Sequence, residues 1–171
     1  VPVVPTEWMS REVPLDEVLK RRGWKEAVVK PAVSAGAFRT KRFALGAEPQ
    51  ALLREILVEG EAMLQPYLPS VEAHGERSLI YFGGELSHAV RRKPPLTTLE
   101  HGAELAEASA EELELAKQVL GTQPEVLYAR VDIARDAKGA LCLMELELIE
   151  PSFFLDVAPQ AAARFVDAVL R

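Results

Sequence analysis

The stretch from Leu127 to Ser152, LYARVDIARDAKGALCLMELELIEPS, constrains this chain more than any other. Two apolar-rich runs flank Asp136-Ala137-Lys138-Gly139, a set of turn formers with Gly where a positive φ is needed. The pattern predicts a β-hairpin. Strand side chains alternate between faces, so Glu145 and Glu147 share one. Centring the hairpin on Ala137 and Lys138 sets Asp132 opposite Leu143. That parity gathers Arg130, Asp132, Glu145 and Glu147 on one face. Opposed strand neighbours stand roughly 4.5–5.5 Å apart and diagonal ones about 7–8 Å. Three carboxylates would then converge within reach of a hard divalent cation. A one-residue slip would carry Asp132 to the other face. The plainer alternative is a solvated strand with an apolar back. The chain holds its own control, since Glu112-Leu113-Glu114-Leu115 repeats the tetrapeptide in a segment that reads as helix.

The 171 residues suit one domain with lobes, and 49% hydrophobic content can bury a core. The net charge of −6 weighs against nonspecific binding to nucleic acid or to an anionic membrane. Cys142 is the only cysteine. An internal disulfide is therefore impossible, and the residue reads as a small buried hydrophobe. The absence of a signal-like or long apolar run reads as cytoplasmic.

Taken in order, Val1 to Thr6 is an extended or edge piece broken by Pro2 and Pro5. Leu15 to Arg22 predicts a short helix ended by Gly23. Glu26 to Val33 and Phe38 to Leu45 predict strands around a small-residue turn, Ser34-Ala35-Gly36-Ala37. Pro49 to Glu59 predicts a helix with Leu52, Leu53, Ile56 and Leu57 inward. Ala62 to Leu68 predicts a strand that Pro66 keeps from being fully paired. Arg77 to Phe82 and Glu85 to Lys93 predict a hairpin around Gly83-Gly84. His88 reads as a structural or substrate-side residue, because no second His or Cys is spaced for a metal. Pro94 to Ala108 reads as irregular. Ser109 and Glu112 form a capping box opening a helix with Leu113, Ala116, Val119 and Leu120 inward. Ala158 to Leu170 predicts a closing helix with Ala162, Phe165, Val166 and Val169 on its apolar side. Mixed helices and antiparallel hairpins predict an α+β fold.

Several segments together resemble ATP-grasp proteins of the glutathione synthetase type, and within them the cyclo-ligases of cycloserine biosynthesis that act on O-ureidoserine. They are Val28-Val29-Lys30-Pro31-Ala32-Val33-Ser34-Ala35-Gly36, Leu64-Gln65-Pro66-Tyr67-Leu68-Pro69, Ser78-Leu79 through Ser87-His88-Ala89-Val90, Tyr128 to Asp132, and Met144 to Ser152. The resemblance implies two lobes of antiparallel sheet with helices and a nucleotide cleft between them. The smaller lobe would span about residues 24–68 and the larger, metal-binding one about 69–171. A substrate-binding domain and a further nucleotide-contacting lysine would precede the segment matching Val1, outside this chain.

The same resemblance implies roles. Lys30 would contact nucleotide phosphate, and Ser34, Ala35 and Gly36 would close over the phosphates. Gln65, Pro66, Tyr67 and Leu68 would hold adenine, with Met144 against it and Glu72 on the ribose hydroxyls. Asp132, Glu145 and Glu147 would ligate magnesium, as two ions or with manganese instead. Arg77, Arg92 and Arg130 would form the catalytic set, Arg77 and Arg92 facing the transferred phosphoryl group or substrate. The implied reaction is ATP-dependent ligation, in which a substrate carboxylate becomes an acyl phosphate that an amine displaces. The partners would be nucleotide and a small amino-acid-like substrate, with a homodimer or partner domain left open. Where relatives carry an Arg- and Gly-rich loop, this chain has Pro94-Pro95-Leu96-Thr97-Thr98-Leu99-Glu100-His101-Gly102 without Arg. An ATP-binding module without turnover, needing a partner domain, is therefore the alternative.

Overall fold

The computed structural model describes residues 1–92, 102–123 and 125–171. The chain divides into two compact units, Val4–Tyr67 and Val1–Val3 with Leu68–Arg171. The smaller unit thus takes in α1 (Leu15–Arg22) and β1 (Glu7–Met9), which precede residue 24.

In the smaller unit, β2 (Glu26–Pro31), β3 (Lys41–Ala44) and β4 (Ala62–Pro66) join β1 in an antiparallel sheet of order β1-β4-β2-β3. Ala27, Val29, Phe43, Ala62 and Leu64 form its buried face. That face packs on Leu15, Val18 and Leu19 of α1 and on Leu53 and Ile56 of α2 (Gln50–Glu59), with Leu52 and Leu57 at the margin. Gly23 ends α1 at φ 69°, and its N–H reaches the Lys20 carbonyl at 3.2 Å. β4 is a central strand; its pairing with β1 ends at Leu64, and on the β2 side Pro66 pairs with Ala27 without an N–H to give. β3 is shorter than the sequence pattern predicts. Residues 35–40 instead fold into two consecutive turns, with Phe38 N–H on the Ala35 carbonyl and Thr40 N–H on the Ala37 carbonyl, both 3.1 Å.

In the larger unit, a five-stranded antiparallel sheet runs in the order β7-β6-β5-β8-β9. The strands are β5 (Glu76–Phe82), β6 (Glu85–Arg92), β7 (Ala103–Ala106), β8 (Tyr128–Arg135) and β9 (Leu141–Glu147). The short α3 (Ser70–His74) precedes β5. The strand β7 corrects part of the irregular reading of 94–108; residues 93–101 lie outside the described segment. Nothing in Ala103-Glu104-Leu105-Ala106 alternates as a strong strand should, and pairing with β6 decides its state.

One face of this sheet carries Leu79, Tyr81, Ala89, Ala129, Val131 and Ile133 against Leu115, Ala116 and Val119 of α4 (Ala110–Leu120). Leu113 is exposed instead, and Leu115 takes the inward place. The opposite face carries Ile80, Phe82 and Val90 against Ala158, Ala161 and Phe165. Ala161 and Phe165 belong to α5 (Ala161–Leu170), whose Ala162, Val166 and Val169 point to solvent rather than inward. The capping box at Ser109 is formed, with Glu112 N–H on Ser109 Oγ at 3.2 Å and Ser109 N–H on Glu112 Oε2 at 2.7 Å. Among the described residues no helix is long and apolar enough to cross a membrane.

Glu112 does more than cap. It is buried and accepts from Arg77 Nε at 2.8 Å. Burial pushes its pKa up, but the hydrogen bonds from Arg77 and Ser109 outweigh that and hold it below the ordinary carboxylate value. A depressed carboxylate pKa stabilises the fold above the unfolded value and stops doing so as pH falls through the folded one. Ser109→Ala is expected to cost about 1 kcal/mol. Urea unfolding at neutral pH measures this.

Candidate functional site

The register of β8 and β9 builds the site. Next to the turn, Arg135 pairs with Leu141, Ala134 with Cys142 and Ile133 with Leu143. Beyond a bulge, Asp132 pairs with Glu145 and Arg130 with Glu147. The sequence reading set Asp132 opposite Leu143, two residues off. The turn holds three residues rather than two, because the Asp136 carboxylate accepts from the N–H of Lys138 at 2.8 Å and of Ala140 at 2.9 Å, while Gly139 sits at φ 85°. That shift alone would leave Glu145 on the wrong face. The extra residue of the bulge, Met144, restores the parity.

Asp132, Glu145 and Glu147 therefore offer oxygens within 4.8 Å of one another. Asp132 is 1% exposed, whereas the Glu145 side chain is 54% exposed, so the cluster runs from sheet interior to solvent. Two guanidiniums face it. Arg130 donates through Nε to Asp132 Oδ1 at 3.0 Å and through Nη2 to Asp132 Oδ2 at 2.8 Å; Nη2 also contacts Glu147 and lies 3.8 Å from Glu145. Arg92 donates from Nη2 to Asp132 Oδ2 at 2.7 Å and to Glu76 at 3.0 Å, and from Nε to Ser78 Oγ at 2.8 Å. Arg130 Nη2 thus touches the same three carboxylates that a cation would share.

Among the described residues the three carboxylates Asp132, Glu145 and Glu147 face two guanidiniums, Arg92 and Arg130, and Arg92 also serves Glu76. Burial holds the Glu147 carboxyl above its ordinary pKa; Arg130 opposes this, and Glu145 and Asp132 reinforce it. Burial also disfavours charge on Arg130, but Asp132, Glu147 and Glu145 more than offset it and raise its pKa. An all-oxygen donor set fits a hard divalent ion such as Mg²⁺.

Arg77 is placed elsewhere. Ser78 pairs with Asp132, so Arg77 falls on the opposite face, held by Glu112 and the Glu107 carbonyl. The structure does not bring it to the carboxylates. Glu76 and Ser78 take part instead. Their period-two spacing on β5 was available in the sequence, but their link to Arg92 depends on the pairing of Glu76 with Arg92. Phe154, whose ring lies 5.8 Å from Arg92 Cζ and 5.7 Å from Arg130 Cζ, left no signal in the sequence.

The remaining sequence-derived positions divide between the units. Lys30, Ser34, Ala35, Gly36, Gln65, Pro66 and Tyr67 belong to the smaller one. Lys30 pairs with Met63 and Val28 with Gln65, so Lys30 and Gln65 share the sheet face away from the helices. Gln65 donates to Thr6 Oγ1 at 2.8 Å. Tyr67 N–H reaches the Glu26 carbonyl at 3.0 Å, and the Arg42 guanidinium stacks 3.6 Å from the Tyr67 ring centre. Ser34, Ala35 and Gly36 are exposed where the two turns begin, with Gly36 at φ 61°. Leu68 is buried in the larger unit, Glu72 lies exposed on α3, and Met144 is half-buried at the bulge. His88 is structural. Its Nε2 meets the Phe153 carbonyl at 2.9 Å, which fixes the proton there, and Nδ1 lies 3.0 Å from Ser87 Oγ. Cys142 is buried, and burial pushes its thiol up to about 11.

Comparison with known proteins fixes the class. The arrangement has the ATP-grasp ligase fold, as in the ATP-grasp ligase PsnB, which superposes with a TM-score of 0.62 at 18% identity over 100% of this chain and 55% of that one. Superposition on the crystal structure of D-cycloserine synthetase DcsG gives a TM-score of 0.85 at 29% identity, over 99% of this chain and 64% of that one. The cycloserine biosynthesis protein DcsG of Streptomyces lavendulae is 31% identical over 191 aligned residues, again 99% of this chain and 64% of that protein. D-alanine–D-alanine ligase from Bacillus anthracis complexed with ATP superposes with a TM-score of 0.70 at 17% identity, over 99% of this chain and 60% of that one. This last likeness shows the fold alone. The chain thus spans under two thirds of the relatives it matches. No protein-family model matches it.

Proposed function

We propose that this chain is the Mg-ATP-binding part of a carboxylate–amine ligase or cyclo-ligase, acting through an acyl phosphate on an amino-acid-like substrate in the cytoplasm. The observation that carries the reading is the Asp132/Glu145/Glu147 cluster with Arg130 and Arg92 bound to it. The likeness to DcsG, a cycloserine biosynthesis protein, supports both the reaction class and the kind of substrate.

Mg²⁺ would be held by Asp132, Glu145 and Glu147 and would neutralise nucleotide phosphates as charge develops. Glu145, the most exposed of the three, is open to exchange solvent for an incoming ion, while Asp132 is fixed by Arg92 and Arg130. Arg130 would share its carboxylate partners with a bound ion, and its guanidinium would then be free to stabilise developing phosphoryl charge. Glu76 and Ser78 orient Arg92 from the neighbouring strand. On the smaller unit, Lys30 and the Ser34-Ala35-Gly36 turn would receive phosphates, the turn through backbone N–H groups. Gln65 to Leu68 and Met144 would hold adenine and Glu72 the ribose.

A second reading has its own support. Arg130 already contacts all three carboxylates, as a self-contained ion-pair network would. Thermal denaturation with Mg-ATP separates the two. A ligand at about a hundred times its Kd adds about 2.7 kcal/mol and raises Tm by about 5–10 °C. ADP release with candidate amino-acid substrates then tests turnover, and Lys30→Ala is expected to abolish most of the Tm shift without lowering the ligand-free Tm. No shift with Mg-ATP would leave only the ion-pair network.

A further inference from the structure

We propose that Phe154 is a positioning residue that holds the Arg92 and Arg130 guanidiniums on the carboxylate cluster. Its ring lies within 5.8 Å of both guanidinium carbons, and no other ring is near both among the described residues. An aromatic face attracts a cation and excludes water from one side of it, which strengthens the hydrogen bonds on the other side.

The backbone gives independent support. Phe154 sits at φ 51°, a left-handed conformation that a bulky residue adopts only when its surroundings impose it. The imposing contacts lie on both sides. The Phe153 carbonyl accepts from His88 Nε2 at 2.9 Å, and the Phe153 ring packs 5.0 Å from Phe82, 5.3 Å from Tyr128 and 5.2 Å from Phe165. The Phe154 carbonyl accepts from the N–H of Val157 at 3.2 Å and of Ala158 at 3.1 Å. The chain is pinned before and after Phe154, and the strained step between sets the Phe153 ring among Phe82, Tyr128 and Phe165 while the Phe154 ring, packed at the margin of the same apolar layer, comes within reach of both arginines.

The positioning stands on these contacts alone and not on the function proposed above. The test compares wild type, Phe154→Leu and Phe154→Tyr in the full chain. Exchange of the Arg92 and Arg130 Nε–H protons, followed by nitrogen-15 NMR, reports how firmly each guanidinium is held. Loss of the ring is expected to speed exchange about threefold to tenfold. Tyrosine, which keeps the ring face, is expected to restore the wild-type rate. Should Phe154→Leu fail to fold, Phe154→Met makes the same comparison. Exchange at the wild-type rate in the leucine or methionine variant would overturn the proposal. So would a tyrosine variant that exchanges as fast as the leucine one. Wild-type protein that binds no Mg-ATP would defeat the functional reading, while the exchange rates would still decide the role of Phe154.

Discussion

Arg130→Met is expected to lower stability by about 3 kcal/mol at neutral pH, a loss of roughly 6–12 °C in Tm. The side chain is buried and bonded to both Asp132 oxygens. Removing it leaves Asp132, 1% exposed, with Arg92 as its one remaining guanidinium partner among the described residues. It also leaves Glu147 facing two like charges at close range. Unit charges at the 4.8 Å limit of the cluster repel by about 3 kcal/mol at an effective dielectric near 20. The same loss clears a competitor for the carboxylates. Divalent metal alone, with Mn²⁺ as the probe, is therefore expected to bind the variant at least about tenfold more tightly than wild type and to recover part of the lost Tm. A variant as stable as wild type, or one indifferent to Mn²⁺, would mean that Arg130 does not share its partners with an ion.

Glu145→Gln is expected to act on binding with little effect on stability. Its side chain is 54% exposed and its contact with Arg130 is long, 3.8 Å, so Tm is expected to move by no more than the equivalent of about 0.5 kcal/mol. Mg²⁺-dependent ATP affinity is expected to fall at least about tenfold, because outer-shell changes around a metal already cost that much. Glu114→Gln is the matched control. Glu114 belongs to the other Glu-Leu-Glu-Leu segment, on α4, where its partner is the exposed Gln118 side chain at 3.0 Å. Isothermal titration of both variants with Mg-ATP makes the comparison, and equal affinities would remove Glu145 from the metal site.

Local chemistry made most elements legible. The Gly23 stop, the Ser109–Glu112 box and the Gly83-Gly84 turn are set by a few adjacent residues, and each is found where its residues predict. The gathering of three carboxylates was legible for a different reason than the one that operates. A two-residue turn was expected; a three-residue turn and the bulge at Met144 make two slips of one residue whose parities cancel. Alternation along a strand reports which face a residue takes, but bulges are decided by pairing. Arg77 shows the same limit. The family resemblance implied that it faces the phosphoryl group or substrate, yet its face depends on pairing with β8, which turns it toward Glu112. The inward face of α5 was misread because four apolar side chains span more of the helix than the sheet covers; Ala161, Phe165 and Ala168 are the ones it meets. Phe154 lay beyond sequence reading altogether, because its importance comes from a backbone conformation that no local pattern encodes.

The most direct measurement is anomalous diffraction from crystals grown with Mn²⁺ and a non-hydrolysable ATP analogue. The account predicts a manganese peak ligated by carboxylate oxygens of Asp132, Glu145 and Glu147, with Arg130 Nη2 displaced from at least one of them. Manganese bound away from these residues, with Arg130 still on all three carboxylates, would contradict it.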